Sequence, residues 1–226
     1  MTAWFVTGTD TGVGKTLVAC ALLHALAERH ERVVGMKPVA AGAERDAQGR
    51  WINDDVAALR AAGTIAVDAA LDNPFLLPDP VSPHIAAGRA GRTIDIATIV
   101  RACAALRERA DAVVIEGAGG FRVPLTPTLD GADLAAALGL PVILVVGLRL
   151  GCLNHALLTA ESIAARGLVL AGWVASRIDA AMPEQDPNLA LLRARLPAPC
   201  VGDVPHLAPP DARRAARHLD LGALAA

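Results

Sequence analysis

Alternating apolar and polar segments along the chain predict a succession of strands and helices. Five short apolar runs have the length and composition of buried strands, at residues 4–6, 32–36, 112–115, 141–146 and 170–175. Helical spacing separates them, at residues 17–27, 95–109 and 154–165, and a further helix-like stretch follows Asp55 and runs to Ala62. This order predicts an α/β fold in which a mostly parallel sheet carries helices on both faces.

Length and composition narrow the class of protein. The chain has 226 residues and no clear linker, so we expect a single domain over residues 1–226. No apolar run reaches membrane-spanning length, and the first strand lacks the basic flank of a signal peptide, so we expect a soluble cytoplasmic protein without a membrane partner. A net charge of −2 and an aromatic content of 3% argue against a nucleic-acid partner. The four cysteines form no C-x-x-C pair and are typical of reduced core residues: Cys20, Cys103, Cys152 and Cys200.

A glycine-rich turn joins the first strand to the first helix, at residues 8–16. The order strand, glycine loop, helix is the context of a phosphate-binding loop, in which backbone N–H groups converge on an anion beside the positive end of the helix dipole. Lys15 can reach terminal phosphates, and the Thr16 hydroxyl can hold Mg²⁺. The usual spacing places the first glycine at position 9, which is Thr9 here, with Gly8 one residue earlier. Gly14-Lys15-Thr16 at the helix start nevertheless favours nucleotide binding over an unliganded turn.

Charged residues directly follow two of the predicted strands. Lys37 follows the second strand, which we expect to neighbour the first, and Glu116 follows the third strand and precedes a glycine-rich segment. In open parallel sheets ligands bind beyond the carboxyl ends of the strands. Mg²⁺ takes oxygen ligands and usually one or two carboxylates, so Thr16, Glu116 and either Asp54 or Asp55 suit it. The alternatives are that the two aspartates only cap the next helix and that Lys37 and Glu116 are surface charges.

Two further features carry candidate chemistry. A second cation such as Lys37 near a terminal phosphate would stabilise charge on a transferred phosphoryl group. Residues 151–155 open a later helix, whose N–H groups attract a carboxylate, although Asn154 could instead merely cap that helix. His84 and His155 have no partner at metal-ligand spacing, and we interpret them as packing or hydrogen-bonding residues.

Taken together, these motifs resemble the dethiobiotin synthase family. They occur in the order of that family and span most of the chain, whereas residues 43–51 and 177–226 match weakly. The matching segments are residues 5–16, 37–42, 82–84, 116–120 and 141–155, with 171–175 in support.

The resemblance implies a P-loop NTPase fold and a homodimeric, magnesium-dependent enzyme of biotin biosynthesis. Such an enzyme joins CO₂, or bicarbonate, to 7,8-diaminononanoate with ATP as co-substrate. One substrate amine becomes a carbamate, whose oxygen attacks the γ-phosphate of ATP to give a carbamic-phosphoric anhydride. The other amine then closes the cyclic urea and expels phosphate.

The resemblance also implies roles for individual residues. Catalytic roles fall to Thr11, Lys15 and Lys37, and magnesium binding falls to Thr16, Asp55 and Glu116. Asp55 is preferred to Asp54 because the aspartate of the family stands just after an Asn-x pair. The nucleotide-binding positions are Gly12, Val13, Gly14, Lys15, Thr16, Leu17, Asp55, Glu116, Gly117, Ala118, Gly119, Ser176, Pro205, His206 and Leu207. The substrate-binding positions are Thr11, Lys37, Ala41, Ser82 and Pro83, together with Leu150, Gly151, Cys152, Leu153 and Asn154, which are donated across the dimer interface.

Two positions depart from the pattern of the family. Ala41 stands where the family often has Ser or Thr, so one hydroxyl contact to the substrate is missing. Ser176 stands where an adenine-reading Asn is usual, and a serine cannot make the same two-point contact with adenine. The sequence therefore does not predict a strict preference for ATP over other nucleotides.

Two other classes of P-loop protein have features that this sequence lacks. A cobyrinate diamide synthase is expected to carry a glutaminase domain, for which the chain is too short. A switch ATPase of the chromosome-partitioning or cell-division-positioning type has a second lysine five residues before the P-loop lysine, where this chain has Asp10.

Overall fold

A six-stranded parallel sheet is the centre of the computed structural model, in which residues 2–224 are described. The strands are β1 (Thr2–Gly8), β2 (Val33–Met36), β3 (Val39–Ala41), β4 (Glu44–Arg45), β5 (Trp51–Ile52), β6 (Phe75–Leu77), β7 (Ala112–Gly120), β8 (Val142–Gly147), β9 (Leu170–Ser176) and β10 (Cys200–Val204). The helices are α1 (Lys15–Ala27), α2 (Asp54–Ala62), α3 (Ala69–Asp72), α4 (Pro83–Arg89), α5 (Ile96–Arg109), α6 (Gly131–Leu138), α7 (Cys152–Ala165), α8 (Gln185–Arg195) and α9 (Ala212–Ala216). A short 3₁₀ helix follows at Leu221–Ala223.

The strand order in the main sheet is β10-β9-β8-β1-β7-β2, and every neighbouring pair is parallel. Strand β7 therefore separates β1 from β2, and the expectation that the strand before Lys37 neighbours the first strand is wrong. Strand β7 has nine residues and pairs with β1 on one side and with the four-residue β2 on the other, and its Val113, Val114 and Ile115 are fully buried, as fits an inner strand. After β1 the chain first forms β2 and β7 on one side of β1, and then β8, β9 and β10 on the other side. This change of side places the carboxyl ends of β7, β1 and β8 around one crevice.

Successive residues of the inner strands alternate between two cores, as the period of a strand requires. On one face Phe5 and Ile115 belong to the core formed with α4, α5 and α6. On the other face Val6 and Val114 pack in the core that includes α1 and α9. A third cluster around the fully buried Trp173 includes residues of α7 and α8. The predicted α/β class, with helices on both faces of a parallel sheet, is confirmed.

Several element boundaries differ from the sequence expectations. Strand β7 continues to Gly120, so Glu116 lies within a strand whose register pairs it with Val6 of β1. Helix α7 begins at Cys152, two residues earlier than expected. The edge strand β10 was not predicted, and its five residues include a glycine and an aspartate that interrupt the apolar pattern. Among residues 2–224 no helix is long and apolar enough to span a membrane.

Candidate active site

The loop between β1 and α1 depends on glycines for its tight path. Gly14 lies directly before α1 with a φ of 86°, in the left-handed region that favours glycine. A Cβ atom on Gly14 would stand 2.7 Å from Oγ of Ser176. At Gly8, a Cβ would lie 2.6 Å from Cγ2 of Val13. Gly8, which stands one residue before the usual first glycine of the motif, therefore has no room for a side chain, because Val13 of the loop folds back over it.

Four side chains meet where β2 ends and β7 continues past it. The Thr16 hydroxyl lies 2.7 Å from Oδ1 of Asp55 and 3.0 Å from Oε1 of Glu116. Nζ of Lys37 donates to the same two carboxylates, at 2.8 Å to Asp55 Oδ2 and 2.6 Å to Glu116 Oε1. Met36 pairs with Ile115, so the parallel register brings the next residues, Lys37 and Glu116, level with each other. The pairing of β2 with β7 thus aligns a lysine and a glutamate that are far apart in sequence.

Helix α2 decides which of the two neighbouring aspartates joins this cluster. The side chain of Asn53 caps the helix by accepting from the Val56 N–H, so neither aspartate is needed as the cap. Consecutive helical residues point about 100° apart, and Asp55 turns toward Thr16 and Lys37 while Asp54 is exposed. The interpretation of Asp54 and Asp55 as capping residues is wrong.

Burial and charge act in opposite directions within the cluster. The Glu116 side chain is 0% exposed and that of Lys37 is 6% exposed. Burial opposes the charge of Lys37, but Glu116 and Asp55 outweigh this effect and raise its pKa. Burial also raises the pKa of Glu116, and here the opposing charge of Lys37 is the weaker influence. Although burial favours the neutral form of Asp55, Lys37 lowers the pKa of this more exposed carboxyl. The alternatives in which Lys37 and Glu116 are surface charges are wrong.

One atom of the cluster has no hydrogen-bond partner. Oε2 of Glu116 is buried and unpaired within the part of the chain that the structure describes. A buried carboxylate oxygen without a donor is costly unless a cation or another ligand reaches it. One hydroxyl and two carboxylates are hard oxygen donors of the kind that Mg²⁺ prefers, with phosphate and water oxygens as its other ligands. Within residues 2–224 no group of three or more His, Cys, Asp or Glu residues forms a metal site.

Lys15 lies in the same electrostatic environment. Its Nζ donates to the backbone carbonyl of Asp10 at 3.0 Å. Burial, and then the charge of Lys37, lower the pKa of Lys15 to about 8, while Glu116 and Asp55 act in the other direction. The side chain is therefore a desolvated cation whose charge an anion in the loop would stabilise.

A groove of about 480 Å³ opens beside the cluster. It brings together residues from distant segments that the resemblance assigned to the substrate: Thr11, Lys37, Ala41, Ser82 and Pro83. Asp55, Ala118 and Gly119 also line it. Ala41 offers only a methyl group there, and the Ser82 hydroxyl is 3.0 Å from Nδ1 of His84. His84 is thus a hydrogen-bonding histidine, as its lack of metal-spaced partners indicated.

The segment from Leu150 to Asn154 does not line this groove of its own chain. Leu150 is 94% exposed, and Gly151, with a φ of 98°, is the residue before α7. Asn154 is therefore not the cap of this helix, so that alternative is wrong. The first turn of α7 has N–H groups without intrahelical acceptors.

The residues assigned to the nucleotide base come from the ends of β9 and β10. Ser176 is buried and its hydroxyl faces Gly14 of the loop. The Arg177 N–H donates to the Val204 carbonyl at 3.0 Å, which joins this end of β9 to the segment that begins at Pro205. In that segment His206 is exposed and Leu207 is buried. The side chain of Leu207 is therefore part of the core, whereas His206 is accessible.

Sequence reasoning missed two arginines that connect these loops. Arg177 binds Asp203 through two hydrogen bonds, at 2.9 and 2.8 Å, and also binds Asp186 at 2.7 Å. Arg149 forms an ion pair with Asp10 of the P-loop. A lone arginine in a loop carries no motif, and the only available signal was that Arg149 lies inside the matched segment 141–155.

The fold and the loop define a class of protein, the P-loop nucleotide-binding α/β proteins. Solved structures share the fold at 16% identity. The MinC:MinD cell division protein complex of Aquifex aeolicus has a TM-score of 0.59, with 98% of this chain and 87% of that chain covered. The cell division protein FtsY of Thermotoga maritima has a TM-score of 0.53, with 94% and 63% covered.

Sequence relatives define the family. The profile of a family described as an AAA domain (AAA_26) matches residues 2–214. The ATP-dependent dethiobiotin synthetase of Aromatoleum aromaticum is 58% identical over 221 residues, which covers 97% of each chain. The protein of the same name from Ralstonia nicotianae is 58% identical over 222 residues, which covers 98% of this chain and 96% of its own. The chain belongs to the family of ATP-dependent dethiobiotin synthetases.

Proposed function

We infer that this protein is an ATP-dependent dethiobiotin synthase, a cyclo-ligase of biotin biosynthesis that acts on 7,8-diaminononanoate and CO₂. The structural observation that carries the inference is the convergence of Lys37, Glu116 and Asp55 on Thr16 beside the groove. The charges of Lys37 and Glu116 also act on Lys15, so both lysines lie near one site. The family relationship supplies the reaction.

The proposed reaction has three balanced steps. An amine of the substrate adds to CO₂ and loses a proton to give a carbamate. A carbamate oxygen attacks the γ-phosphorus of ATP, so that a carbamic-phosphoric anhydride forms and ADP leaves. The second amine attacks the carbamate carbon, phosphate leaves with the bonding electron pair, and the ureido ring closes with loss of a proton.

The two lysines and Thr11 are proposed to act on the reacting groups. Lys15, at the start of α1, binds the phosphates, and Lys37 stabilises negative charge as the phosphoryl group is transferred. Thr11 lies at the border between the P-loop and the groove, which suits a contact to the carbamate. Because Lys37 is buried and held by two carboxylates, its charge is oriented before the substrate arrives.

Thr16, Asp55 and Glu116 are proposed to hold Mg²⁺. When bound, the ion neutralises charge on the β- and γ-phosphate oxygens of ATP. The unpaired Oε2 of Glu116 supports this assignment, because it is an acceptor that no described protein group uses. The Thr16 hydroxyl is already directed at both carboxylates.

The remaining proposed contacts are those to the nucleotide and to the diamine substrate. Backbone N–H groups of the loop and the start of α1 are proposed to bind the phosphates, and three further parts of the chain are proposed to contact the nucleotide. These contacts involve residues 12–17, residues 116–119, Ser176 and residues 205–207. The groove residues Thr11, Lys37, Ala41, Ser82 and Pro83 are proposed to bind the diamine.

We also propose a homodimer in which residues 150–154 of one subunit bind the substrate carboxylate of the other. Support comes from the exposure of Leu150, 94%, in the turn before α7 and of Leu158 within α7, 56%. Large exposed apolar side chains in this part of the chain would lose contact with water in such an interface. Mixing two inactive variants tests the shared site, with Lys37→Ala in one and Leu150→Asp with Asn154→Asp in the other. Recovery of activity in the mixture is expected, and a mixture as inactive as its components would exclude the shared site.

A single P-loop domain and a cytoplasmic location remain predictions from the sequence. The described structure supports the first of them, because a groove and side-chain contacts bring together site residues from the P-loop, from β3 and β7, and from the segments after β2 and β6. Limited proteolysis is expected to yield no stable half of the chain.

The decisive assay measures phosphate release with and without bicarbonate and the diamine. We expect release to require both, with dethiobiotin as the product. Turnover with ATP alone, unaffected by the diamine, would instead indicate a switch ATPase, whose fold this chain shares. Running the assay with each of the four nucleoside triphosphates also tests base preference, which Ser176 is expected to make less strict.

A further inference from the structure

Asp10 connects three segments at the tip of the P-loop. Its Oδ1 accepts a hydrogen bond from the Thr11 N–H at 2.7 Å, and its backbone carbonyl accepts from Lys15 Nζ at 3.0 Å. Its Oδ2 forms the ion pair with Nη2 of Arg149. One residue therefore contacts both Thr11 and Lys15, which we assigned to the reacting groups, and also the chain beyond β8.

Arg149 lies in the turn between β8 and α7. Its backbone carbonyl accepts from the Cys152 N–H at 3.0 Å, so the start of α7 depends on where Arg149 lies. The preceding N–H, of Leu148, donates to the Ser176 carbonyl at 2.8 Å. The turn is thus held by its backbone on the side of β9 and by the Arg149 side chain on the side of the P-loop.

The Asp10–Arg149 ion pair contributes little to global stability. The Arg149 and Asp10 side chains are 38% and 46% exposed, and exposed pairs of this kind are weak and screened by salt. A comparable exposed pair joins Arg32 to Asp111 at the opposite edge of the sheet, with side chains 54% and 31% exposed. What distinguishes the Asp10 pair is its location, because it joins two loops at the carboxyl edge where the reaction takes place.

We propose that Arg149 is a positioning residue for the ring-closing reaction. By holding Asp10, its guanidinium keeps the first turn of α7 and the P-loop at a constant separation. Arg149 need not touch the substrate, since it acts through Asp10 and through the backbone of the turn. Small displacements of groups that orient a substrate lower rates strongly, even when the displaced group is outside the chemistry. The proposal rests on the proposed function, which assigns the substrate carboxylate to the first turn of α7.

The test compares Arg149→Ala, Arg149→Lys and Asp10→Asn with the control Arg32→Ala in the full-length protein. Arg149→Ala is expected to raise KM for the diamine about tenfold, with a smaller fall in kcat and a Tm within about 2 °C of the wild type. Arg149→Lys keeps the charge, so its KM should lie between those of the wild type and of Arg149→Ala. Arg32→Ala removes a comparable exposed pair and should leave both kinetic constants unchanged.

A double-mutant cycle shows whether the two residues act together. Asp10→Asn keeps an acceptor for the Thr11 N–H but removes the charge that Arg149 binds. If the pair is the functional unit, the Asp10→Asn/Arg149→Ala variant is no more impaired in KM than the worse single variant. Additive losses would overturn the proposal, because they mean that the two residues act separately.

Failure of this proposal differs from failure of the proposed function. A wild-type protein without diamine-dependent phosphate release refutes the function itself. An active wild type with an Arg149→Ala variant of equal KM and kcat refutes only the positioning role. A variant whose Tm falls by more than about 5 °C while KM is unchanged also refutes it, because Arg149 would then be a purely structural residue.

Discussion

Nζ of Lys37 lies 2.6 Å from Oε1 of Glu116, although the two residues are 79 positions apart in the chain. The contact is buried, and it exists because β2 and β7 are adjacent and parallel with Met36 opposite Ile115. Removing one partner of such a pair leaves an uncompensated buried charge, which typically costs about 3–5 kcal/mol. The pair therefore affects both the stability of this edge of the sheet and the charges of the proposed active site.

Replacement of Lys37 by alanine should lower the rate of catalysis but leave nucleotide binding nearly unchanged. We expect diamine-dependent phosphate release to fall by about 10²-fold or more, because the lysine acts mainly on charge that develops during phosphoryl transfer. Nucleotide affinity should be nearly retained, since Lys15 and the loop backbone remain. Single-turnover phosphate release and a nucleotide titration measure the two effects. Wild-type activity in this variant would remove Lys37 from the mechanism.

The neighbouring aspartates provide a matched pair for the magnesium site. Asp55→Asn removes a charged oxygen that faces Thr16 and should raise the Mg²⁺ concentration needed for half-maximal activity about tenfold or more, as expected for a charged contact of about 1.5–3 kcal/mol. Asp54→Asn alters an exposed carboxylate one residue away and should leave the requirement unchanged. Equal responses of the two variants in Mg²⁺ titrations would contradict the assignment of Asp55.

Alanine substitutions at two glycines of the P-loop distinguish the cost of backbone strain from the cost of a steric collision. Gly12 and Gly14 both have positive φ, 74° and 86°. A Cβ at Gly12 would meet no atom of the described residues within 4 Å, whereas a Cβ at Gly14 would lie 2.7 Å from the Ser176 hydroxyl. We expect Gly12→Ala to destabilise the fold by about 1 kcal/mol and Gly14→Ala by clearly more. Urea unfolding measures the stability of both variants, and ADP titrations measure their nucleotide affinity.

Removal of the Ser176 hydroxyl is the control for this collision. The Gly14→Ala/Ser176→Ala variant should recover to about the stability of Gly12→Ala, because only the backbone strain remains. If Gly14→Ala is as mild as Gly12→Ala, the Ser176 hydroxyl does not restrict this loop.

The Arg177–Asp203 pair predicts a pH-dependent contribution to stability. Hydrogen bonds from Arg177 lower the pKa of Asp203, so the pair stabilises the folded state above the ordinary aspartate pKa of about 3.9. This stabilisation is lost as the pH falls through the lowered pKa. We expect Asp203→Asn to be about 1 kcal/mol less stable than the wild type at pH 7, because the pair is partly exposed, and the difference to vanish in strong acid.

Urea midpoints at pH 7, 5, 4 and 3 would measure this difference. Asp186→Asn is the control, because Asp186 also binds Arg177 but its side chain is 80% exposed, and its effect should be smaller. A stability difference that does not change with pH would exclude the ion pair as its source.

Much of the site was predictable because its signals are local. Gly14, Lys15 and Thr16 occupy consecutive positions at the start of a helix, so their arrangement follows from the geometry of one turn. Lys37 and Glu116 could be assigned to the active edge because each follows an apolar run in a parallel sheet. The choice between Asp54 and Asp55 could not be made from helical spacing, since either residue can face the site until α2 is oriented by its packing.

The sequence by itself determined the α/β class, the phosphate loop and the kinds of side chain at the carboxyl edge, because these depend on period, on turn chemistry and on short motifs. The tertiary structure alone decided that β7 lies between β1 and β2, that Glu116 is buried with one oxygen unpaired among residues 2–224, and that Arg149 reaches Asp10. Those features depend on which strands pair and on where side chains from distant segments meet. Such pairings are determined by the packing of the whole core, so no local stretch of sequence carries them.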